Sequence, residues 1–206
     1  MGMRRSRLIL SDYGDKGVSM ENITYRKLHS EECARIREID ASQYIHRAYR
    51  EVNGTRQLVE INYQDPDYPN GFENHLAALQ ETIQSGGIAL GAFCMDRLVG
   101  FVSVNSKLFG QKHKYILLDQ LFISKEYRGK GVGKKLFLLS AKEAKKLGAE
   151  KFYICAGSAE ETIAFYFAIG CEVAKEINQE LYQQDTRDYQ LEYEFNKLVD
   201  WVSYIV

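Results

Sequence analysis

The sequence has little cysteine, and its spacing fits no common cysteine motif. Disulfide frameworks and zinc sites have characteristic cysteine spacings, such as C-x-x-C, and this sequence lacks them. The four cysteines are widely separated and stand at Cys33, Cys94, Cys155 and Cys171. We therefore expect no metal site, and we expect free, buried thiols in a reducing cytoplasm.

Long apolar runs are also missing. No run approaches the roughly 18 residues of a membrane-spanning helix, so we expect no membrane association. The start of the chain, MGMRRSRLILSDYGDKGVSM, contains only the short apolar stretch LIL, and a signal peptide needs a longer one. We interpret residues 1–19 as an N-terminal extension that need not be ordered, with Met20 as the natural start.

An excess of charge of either sign is absent too. The formal net charge is −1, which argues against nucleic acid or an acidic surface as the partner of the whole chain. A local basic cluster lies in residues 128–146, and its lysines could in principle contact nucleic acid. No second basic stretch accompanies it, so we interpret these lysines as the solvated face of a helix and predict no nucleic-acid partner.

In the first half, the hydrophobic pattern predicts one strand and two helices. The segment NITYRKL alternates like a strand, and Ser30 could cap a helix that continues to about residue 48. Residues 49–71 contain both prolines and are interpreted as irregular. A second helix is predicted from Phe72 to about Ser85, where two glycines end it.

The second half changes to strands and βα units. Two strands, IALGAFCM and LVGFVSVNS, form a predicted hairpin, and KYILLDQLFIS is a central strand. A helix over residues 131–147, the strand KFYICA and a helix capped by Ser158 follow. Two short strands, CEVAKE and DYQLEYEF, come last.

The predicted order is β-α-α-β-β-β-α-β-α-β-β, a single mixed α/β domain over residues 20–195. The strand–helix–strand unit in residues 114–156 should make two strands parallel. The remaining apolar tail, residues 196–206, could pack on the domain, form a homodimer contact or be disordered.

The segment RGKGVGKK, at residues 128–135, joins the central strand to the next helix and has the chemistry of an anion site. The first N–H groups of a helix lack intrahelical partners, and the helix dipole favours negative charge there. Glycine lets a phosphate approach the backbone. The spacing does not match the P-loop G-x-x-x-x-G-K-[ST] or the dinucleotide motif G-x-G-x-x-G.

The spacing that is present is R-x-x-G-x-G, at Arg128, Gly131 and Gly133. The stretch LDQLFISKEYRGKGVGKKLF resembles the acetyl-CoA-binding motif of the GNAT family of N-acetyltransferases. The stretch ETIAFYFAIGCEV resembles that family's later segment, in which a helix with a tyrosine is followed by a glycine and a strand. Together the two motifs cover roughly residues 115–175, and the predicted element order over residues 20–195 is similar to the family fold.

The resemblance implies an acetyl-CoA-dependent N-acetyltransferase that acts by direct transfer to a primary amine. Backbone N–H groups of the turn would hold the pyrophosphate of acetyl-CoA, and the strand before it would pair with the pantetheine arm. The implied cofactor-binding residues are Leu121, Phe122, Ile123, Arg128, Gly129, Lys130, Gly131, Val132, Gly133 and Lys134. A main-chain N–H of this strand would also polarise the thioester carbonyl.

The resemblance places the family's proton donor at Tyr166. The family's usual general bases fall on Leu117 and Ile154, which cannot serve. Asp119 lies on the same side of the strand as Leu117 by alternation and is the candidate base, directly or through a water. Glu60 is a second candidate. Tyr166 could also be core filler, and Asp119 a structural aspartate.

The sequence departs from the family pattern at two places. Ala159 stands where the later motif has an asparagine, and Cys171 where it has an aromatic. In addition, Leu117 and Ile154 stand where relatives have a glutamate as general base. These departures leave a non-catalytic acyl-CoA-binding or regulatory module as the alternative. Cys155 and Cys171 could be considered nucleophiles, but we expect buried thiols. No motif identifies the amine acceptor, which could be a small molecule or a peptide.

Overall fold

A seven-stranded sheet forms the centre of the protein in the computed structural model, which describes residues 23–200. The strand order is β1-β4-β5-β6-β7-β9-β8, and among the described strands only β6 and β7 are parallel neighbours. The strands are β1 Ile23–Lys27, β2 Gln43–Val52, β3 Thr55–Asp65, β4 Ile88–Cys94, β5 Arg97–Phe109, β6 Tyr115–Ile123, β7 Lys151–Ala156, β8 Glu172–Val173 and β9 Tyr189–Glu194.

Helices cover both faces of this sheet. The α-helices are α1 Phe72–Gln84, α2 Val132–Lys146, α3 Glu160–Ala168 and α4 Gln179–Gln184, and 3-10 helices span Ser30–Glu38, Lys125–Tyr127 and Phe195–Asp200. Helices α2 and α3 contribute to one large core on what we call the α2 face. Helix α1 and the first 3-10 helix pack on the opposite face, the α1 face. The predicted mixed α/β class with a mostly antiparallel sheet is confirmed.

Alternating side chains of β4 and β5 explain why two helical layers are needed. Leu90 and Val102 point into the α2-face core, whereas Ala89 and Phe101 point into the α1-face core. All four are at least 94% buried, with relative exposures of 6%, 0%, 6% and 0%. A strand that is apolar on both sides must be covered on both sides.

The interpretation of residues 49–71 as irregular is wrong for residues 49–65, whereas residues 66–71 contain no helix or strand. Strands β2 and β3 form a separate two-stranded antiparallel sheet, with Val52 opposite Thr55 at its end. The connecting residues are Asn53 and Gly54, both with positive φ (51° and 74°). An Asn-Gly pair between alternating segments is a strong hairpin signal, and it identifies this turn in the sequence.

The predicted helix from Ser30 to about residue 48 is also too long. A 3-10 helix ends at Glu38, and His29 is its N-cap. Residues 43–48 belong to β2 instead. Ile36 and Ile39 are buried, with relative exposures of 0% and 4%.

The ends of the chain lie partly outside the described residues. The N-terminal extension proposed for residues 1–19, the natural start at Met20 and residues 201–206 of the apolar tail are outside. Within the described part of the tail, Leu198 packs with Phe195 into the α2-face core. This contact favours packing on the domain for the first part of the tail.

Candidate functional site

The two parallel strands at the centre of the sheet separate from each other. Strands β6 and β7 pair over four positions, ending at Leu118 opposite Ile154. Beyond that point β6 pairs only with β5, and the last residues of β7, Cys155 and Ala156, pair with β9. One backbone edge of residues 119–123 is therefore unpaired by any described strand and can accept an extended ligand as an added strand.

A β-bulge lies where the separation begins. Opposite β5, Ser103 pairs with Gln120 and Val104 with Leu118, so Asp119 is the extra residue. The bulge reverses the alternation of side chains between the two faces of the sheet. Even-numbered residues before it (Ile116 and Leu118) and odd-numbered residues after it (Leu121 and Ile123) contact the α2-face core. Bulges re-aim side chains next to active sites, and this one places Asp119 at the opening between the strands.

The glycine-rich turn follows immediately after the unpaired segment. Helix α2 begins at Val132, with Gly131 as its N-cap in the left-handed conformation (φ 81°), and no described side chain caps it. A Cβ built on Gly129 or Gly131 would meet no protein atom within 4 Å. The backbone N–H groups at the start of α2 are thus accessible to an anion, and the residues fit a phosphate-bearing ligand.

Gly133 has a different role in the same turn. A Cβ on this residue would lie 3.4 Å from both Ile123 Cγ1 and Phe165 Cε2. The absence of a side chain lets α2 approach β6 and α3 closely.

The side chain of Arg128 anchors the turn to the rest of the protein. Its Nε donates to the carbonyl oxygen of Ile123 at 2.8 Å, and its Nη1 donates to that of Ser42 at 2.8 Å. Its Nη2 lies 3.3 Å from the carbonyl oxygen of Asp40. The sequence predicted only a contact between the Arg128 backbone and a ligand. The structure adds that its guanidinium positions the turn.

Phe122 faces away from the turn. It belongs to the α1-face cluster, and its ring lies 4.8 Å from that of Tyr68 between centroids. Leu121 and Ile123 contact the α2-face core instead.

Asp119 lies near groups that raise its pKa and groups that lower it. Burial raises the pKa of its carboxyl group, whereas a contact from Gln120 Nε2 at 3.4 Å and the charge of His75 oppose that rise. The side chain keeps solvent access. A carboxylate with a raised pKa and access to solvent has the properties of a general base.

Tyr166 lies on α3 and faces the α2-face core, with 7% of its surface exposed. Its ring packs against Phe137 at 6.3 Å between centroids. Burial raises the pKa of Tyr166, and the neighbouring Cys171 adds to the rise, so the hydroxyl keeps its proton at neutral pH.

The other candidates lie in less suitable surroundings. Glu60 is exposed on β3, where its Oε1 lies 3.9 Å from His46 Nε2. Burial raises the pKa of Cys155 and of Cys171 to about 12, which makes a reactive thiolate unfavourable.

The start of α3 differs from the sequence prediction. Ala159, not Ser158, is the N-cap, and it makes no side-chain cap. Ser158 Oγ instead accepts a hydrogen bond from Arg50 Nη1 at 2.6 Å. Ala159 is 8% exposed and forms a β-bridge with Ala48 of the hairpin, which explains why a small residue is tolerated there.

Sequence reasoning missed a second carboxylate near the site. Burial and the charge of Asp185 raise the pKa of Asp188 to about 6. Both Asp188 and Asp119 act electrostatically on the Cys155 thiol, so both lie near this thiol. No motif surrounds Asp188 in the sequence, and its position depends on Arg56 of the hairpin, whose Nη2 donates to the Asp188 carbonyl oxygen at 2.8 Å.

Two classes of feature are absent from the described residues. Within residues 23–200, no helix combines the length and apolar character needed to cross a membrane. No group of three or more His, Cys, Asp or Glu side chains in the same range is arranged to hold a metal ion.

Comparison with solved structures identifies similar folds. Nourseothricin acetyltransferase aligns with a TM-score of 0.62 and 18% identity, over 84% of this chain and 98% of its own. PaiA N-acetyltransferase from Thermoplasma acidophilum, in complex with coenzyme A, aligns with a TM-score of 0.52 and 20% identity, over 84% and 98%. A protein of Bacillus anthracis strain Ames in complex with acetyl coenzyme A aligns with a TM-score of 0.57 and 18% identity, over 82% and 96%.

Comparison by sequence gives the family. No curated protein matches the sequence. The model of the acetyltransferase (GNAT) family matches residues 43–170, which is more than half of the chain and includes the hairpin, the separating strands, the glycine-rich turn and α3. The protein is therefore a member of the GNAT family of acetyltransferases.

Proposed function

We propose that the protein transfers the acetyl group of acetyl-CoA to a primary amine by direct attack in a ternary complex. The observation that carries this proposal is the separation of β6 from β7 beside the glycine-rich turn. The separation connects the two faces of the sheet at one point. A thioester held along residues 121–123 would therefore be reachable from the α1 face.

The donor would be held mainly by backbone groups. N–H groups of the turn, residues 128–134, would bind the pyrophosphate, and the unpaired edge of Leu121, Phe122 and Ile123 would bind the pantetheine arm. A main-chain N–H of this edge would stabilise the oxyanion that forms when the thioester carbonyl is attacked. Open space above Gly129 and Gly131 supports this assignment.

Asp119 and Tyr166 would handle the protons. Asp119 would accept a proton from the acceptor ammonium, since only a neutral amine attacks the carbonyl carbon. After the C–N bond has formed, the attacking nitrogen would lose a second proton. When the C–S bond breaks, the Tyr166 hydroxyl would protonate the leaving thiolate, and the second proton would restore this hydroxyl through solvent. The two residues lie on opposite faces of the sheet, which suits one proton being removed on the amine side and one delivered on the thioester side.

A cationic acceptor is favoured by the charges on the amine side. Asp119 and Asp188 both act on the thiol of Cys155, and carboxylates attract an ammonium group before it is deprotonated. The free cysteines remain consistent with the proposed cytoplasmic location.

Tyr166→Phe is expected to lower kcat by about 100-fold, in the range of a lost general acid, while acetyl-CoA affinity stays within about twofold. The measurement is thiol release from acetyl-CoA with a panel of amines, polyamines, aminoglycosides and peptides, with affinity from calorimetry. Tyr193→Phe is the matched control, because Tyr193 lies in the same core and its buried hydroxyl has no partner in the described chain.

Two outcomes would contradict the proposal at different levels. Unchanged turnover in Tyr166→Phe would remove this residue as the acid but leave the activity. Tight acetyl-CoA binding without thiol release for any amine would favour the non-catalytic acyl-CoA-binding module instead.

A further inference from the structure

His75, on α1, makes two short contacts that constrain its charge. Its Nδ1 lies 2.8 Å from Gln120 Oε1, and its Nε2 lies 2.6 Å from the carbonyl oxygen of Pro69. Both partner atoms are oxygens that only accept hydrogen bonds. Each ring nitrogen must therefore carry a hydrogen for both contacts to be favourable.

A neutral imidazole does not meet this requirement. It carries one N–H, so the lone pair of its other nitrogen would face an oxygen lone pair at 2.8 Å or 2.6 Å, whichever tautomer is chosen. Only the imidazolium donates from both nitrogens. The geometry thus selects the cation.

The orientation of the Gln120 amide supports the same conclusion. Its Nε2 faces the carbonyl oxygen of His75 and the Oδ2 of Asp119, each at 3.4 Å. If the amide were turned by 180°, its oxygen would face these two acceptors, which is unfavourable. Gln120 is 5% exposed, so water cannot readily replace these partners.

Aromatic rings hold the imidazole in place. The ring lies 5.2 Å from Tyr68 and 4.9 Å from Phe122 between centroids. The Tyr68 hydroxyl is itself fixed by a hydrogen bond to the carbonyl oxygen of Ile36 at 2.8 Å. His75, Gln120 and Asp119 therefore form a connected chain from α1 to the bulge of β6.

We propose that His75, as an imidazolium, acts through Gln120 to hold the Asp119 carboxylate ionised and oriented toward the acceptor amine. His75 is then a positioning residue, and this inference rests on the proposed role of Asp119 as general base. A cation near a carboxylate stabilises the charged form, and the intervening amide fixes which oxygen it faces.

The charged groups around Asp119 predict in which direction its pKa changes when each of them is removed. On α1, the His75 cation lowers the pKa of Asp119, and Glu81 raises it. On β7, the Cys155 thiol also interacts with Asp119, but burial keeps this thiol protonated. The uncharged Gln120 and Ser103 complete its polar surroundings on β6 and β5.

The charge state of His75 can be measured without turnover. We expect ¹⁵N NMR of the full chain to show a hydrogen on both ring nitrogens of His75, because each nitrogen faces an acceptor oxygen. In Gln120→Met the acceptor of Nδ1 is removed, and we expect the Nδ1–H signal to be lost while the Nε2–H, which faces the Pro69 carbonyl oxygen, is retained. A neutral His75 in the unmodified protein would overturn the proposal even if the enzyme acetylates amines.

The effect on Asp119 is measured by the pH profile of kcat/KM. Removing the cation in His75→Phe, which retains an aromatic ring, should move the acid limb to higher pH by about one unit. Removing the exposed negative charge in Glu81→Gln should move it to lower pH. Shifts of the same sign, or no shift in either variant, would contradict the proposal.

These two measurements separate the inference from the proposed function. If no amine is acetylated, the NMR result still decides whether His75 donates to both Gln120 and Pro69, which the proposal requires. Gln120→Met provides a further check, because it retains the side-chain length, removes the amide, and should shift the acid limb as His75→Phe does.

Discussion

Replacing Gly131 with alanine is expected to lower the affinity for acetyl-CoA by about 100-fold, the scale of losing hydrogen bonds to a charged group. The added Cβ would project into the open space above the turn, where no protein atom lies within 4 Å. It would keep the pyrophosphate away from the backbone N–H groups at the start of α2. Calorimetric titration with acetyl-CoA measures the change directly.

Gly86→Ala is the matched control for this substitution. Gly86 has the same φ of 81°, also has no atom within 4 Å of a built Cβ, and follows the end of α1. Both substitutions force a left-handed conformation on alanine, which costs about 1–2 kcal/mol, so both should reduce stability similarly. Equal acetyl-CoA affinity in the two variants would show that the turn does not bind the pyrophosphate.

Replacing Lys151 with methionine is expected to lower the free energy of unfolding by about 3–5 kcal/mol, the usual cost of leaving a buried charge unpaired. Lys151 Nζ lies 2.8 Å from Glu192 Oε1 and 2.9 Å from Glu194 Oε1, and the side chain of Glu192 is 1% exposed. Glu192 also accepts from the Tyr115 hydroxyl at 2.6 Å. Denaturant unfolding of the variant measures the loss.

Lys146→Met makes the same chemical change at the surface. Its partner Glu143 is 2.6 Å away, but the lysine side chain is 62% exposed, so the expected change is below about 1 kcal/mol. The double variant Lys151→Met with Glu192→Gln should recover part of the lost stability, because the unpaired charge is gone. A loss in Lys151→Met no larger than that in Lys146→Met would contradict the assigned role of the buried pair.

The buried pair also gives stability a defined pH dependence. Burial alone would raise the pKa of Glu192, but hydrogen bonds from Lys151, Tyr115 and the Lys175 backbone together lower it. A lowered folded-state pKa contributes stability above the unfolded-state pKa, and this contribution is lost as pH falls through the folded-state value. The acid side of the stability curve should therefore be flatter in the double variant.

Local patterns were sufficient to predict the elements that contain the site. The apolar run before the turn, the spacing of Gly131 and Gly133, and the tyrosine on the later helix predicted β6, the start of α2 and the position of Tyr166. These features are local in sequence, so a short window of residues is enough to detect each of them. The Asn53-Gly54 turn is equally local, and polar and apolar residues alternate on both sides of it. The hairpin was missed because the prolines that follow led to the whole segment being interpreted as irregular.

Other parts of the site depend on contacts between distant residues. His75 and Gln120 are 45 positions apart, and Arg56 is 132 positions from Asp188. Neither pair belongs to a motif, so no window of sequence contains the signal. The reversal of alternation at Asp119 likewise follows from its register against β5, which the sequence of β6 alone does not contain.

The one parallel strand pair within residues 23–200 has a consequence for folding. Antiparallel neighbours can form through short turns, but parallel strands need a crossover connection, and here that connection is α2. Pairing of β6 with β7 therefore brings the first turn of α2 to the place where the two strands diverge. Local unfolding of α2 would therefore remove the turn to which the proposed function assigns pyrophosphate binding.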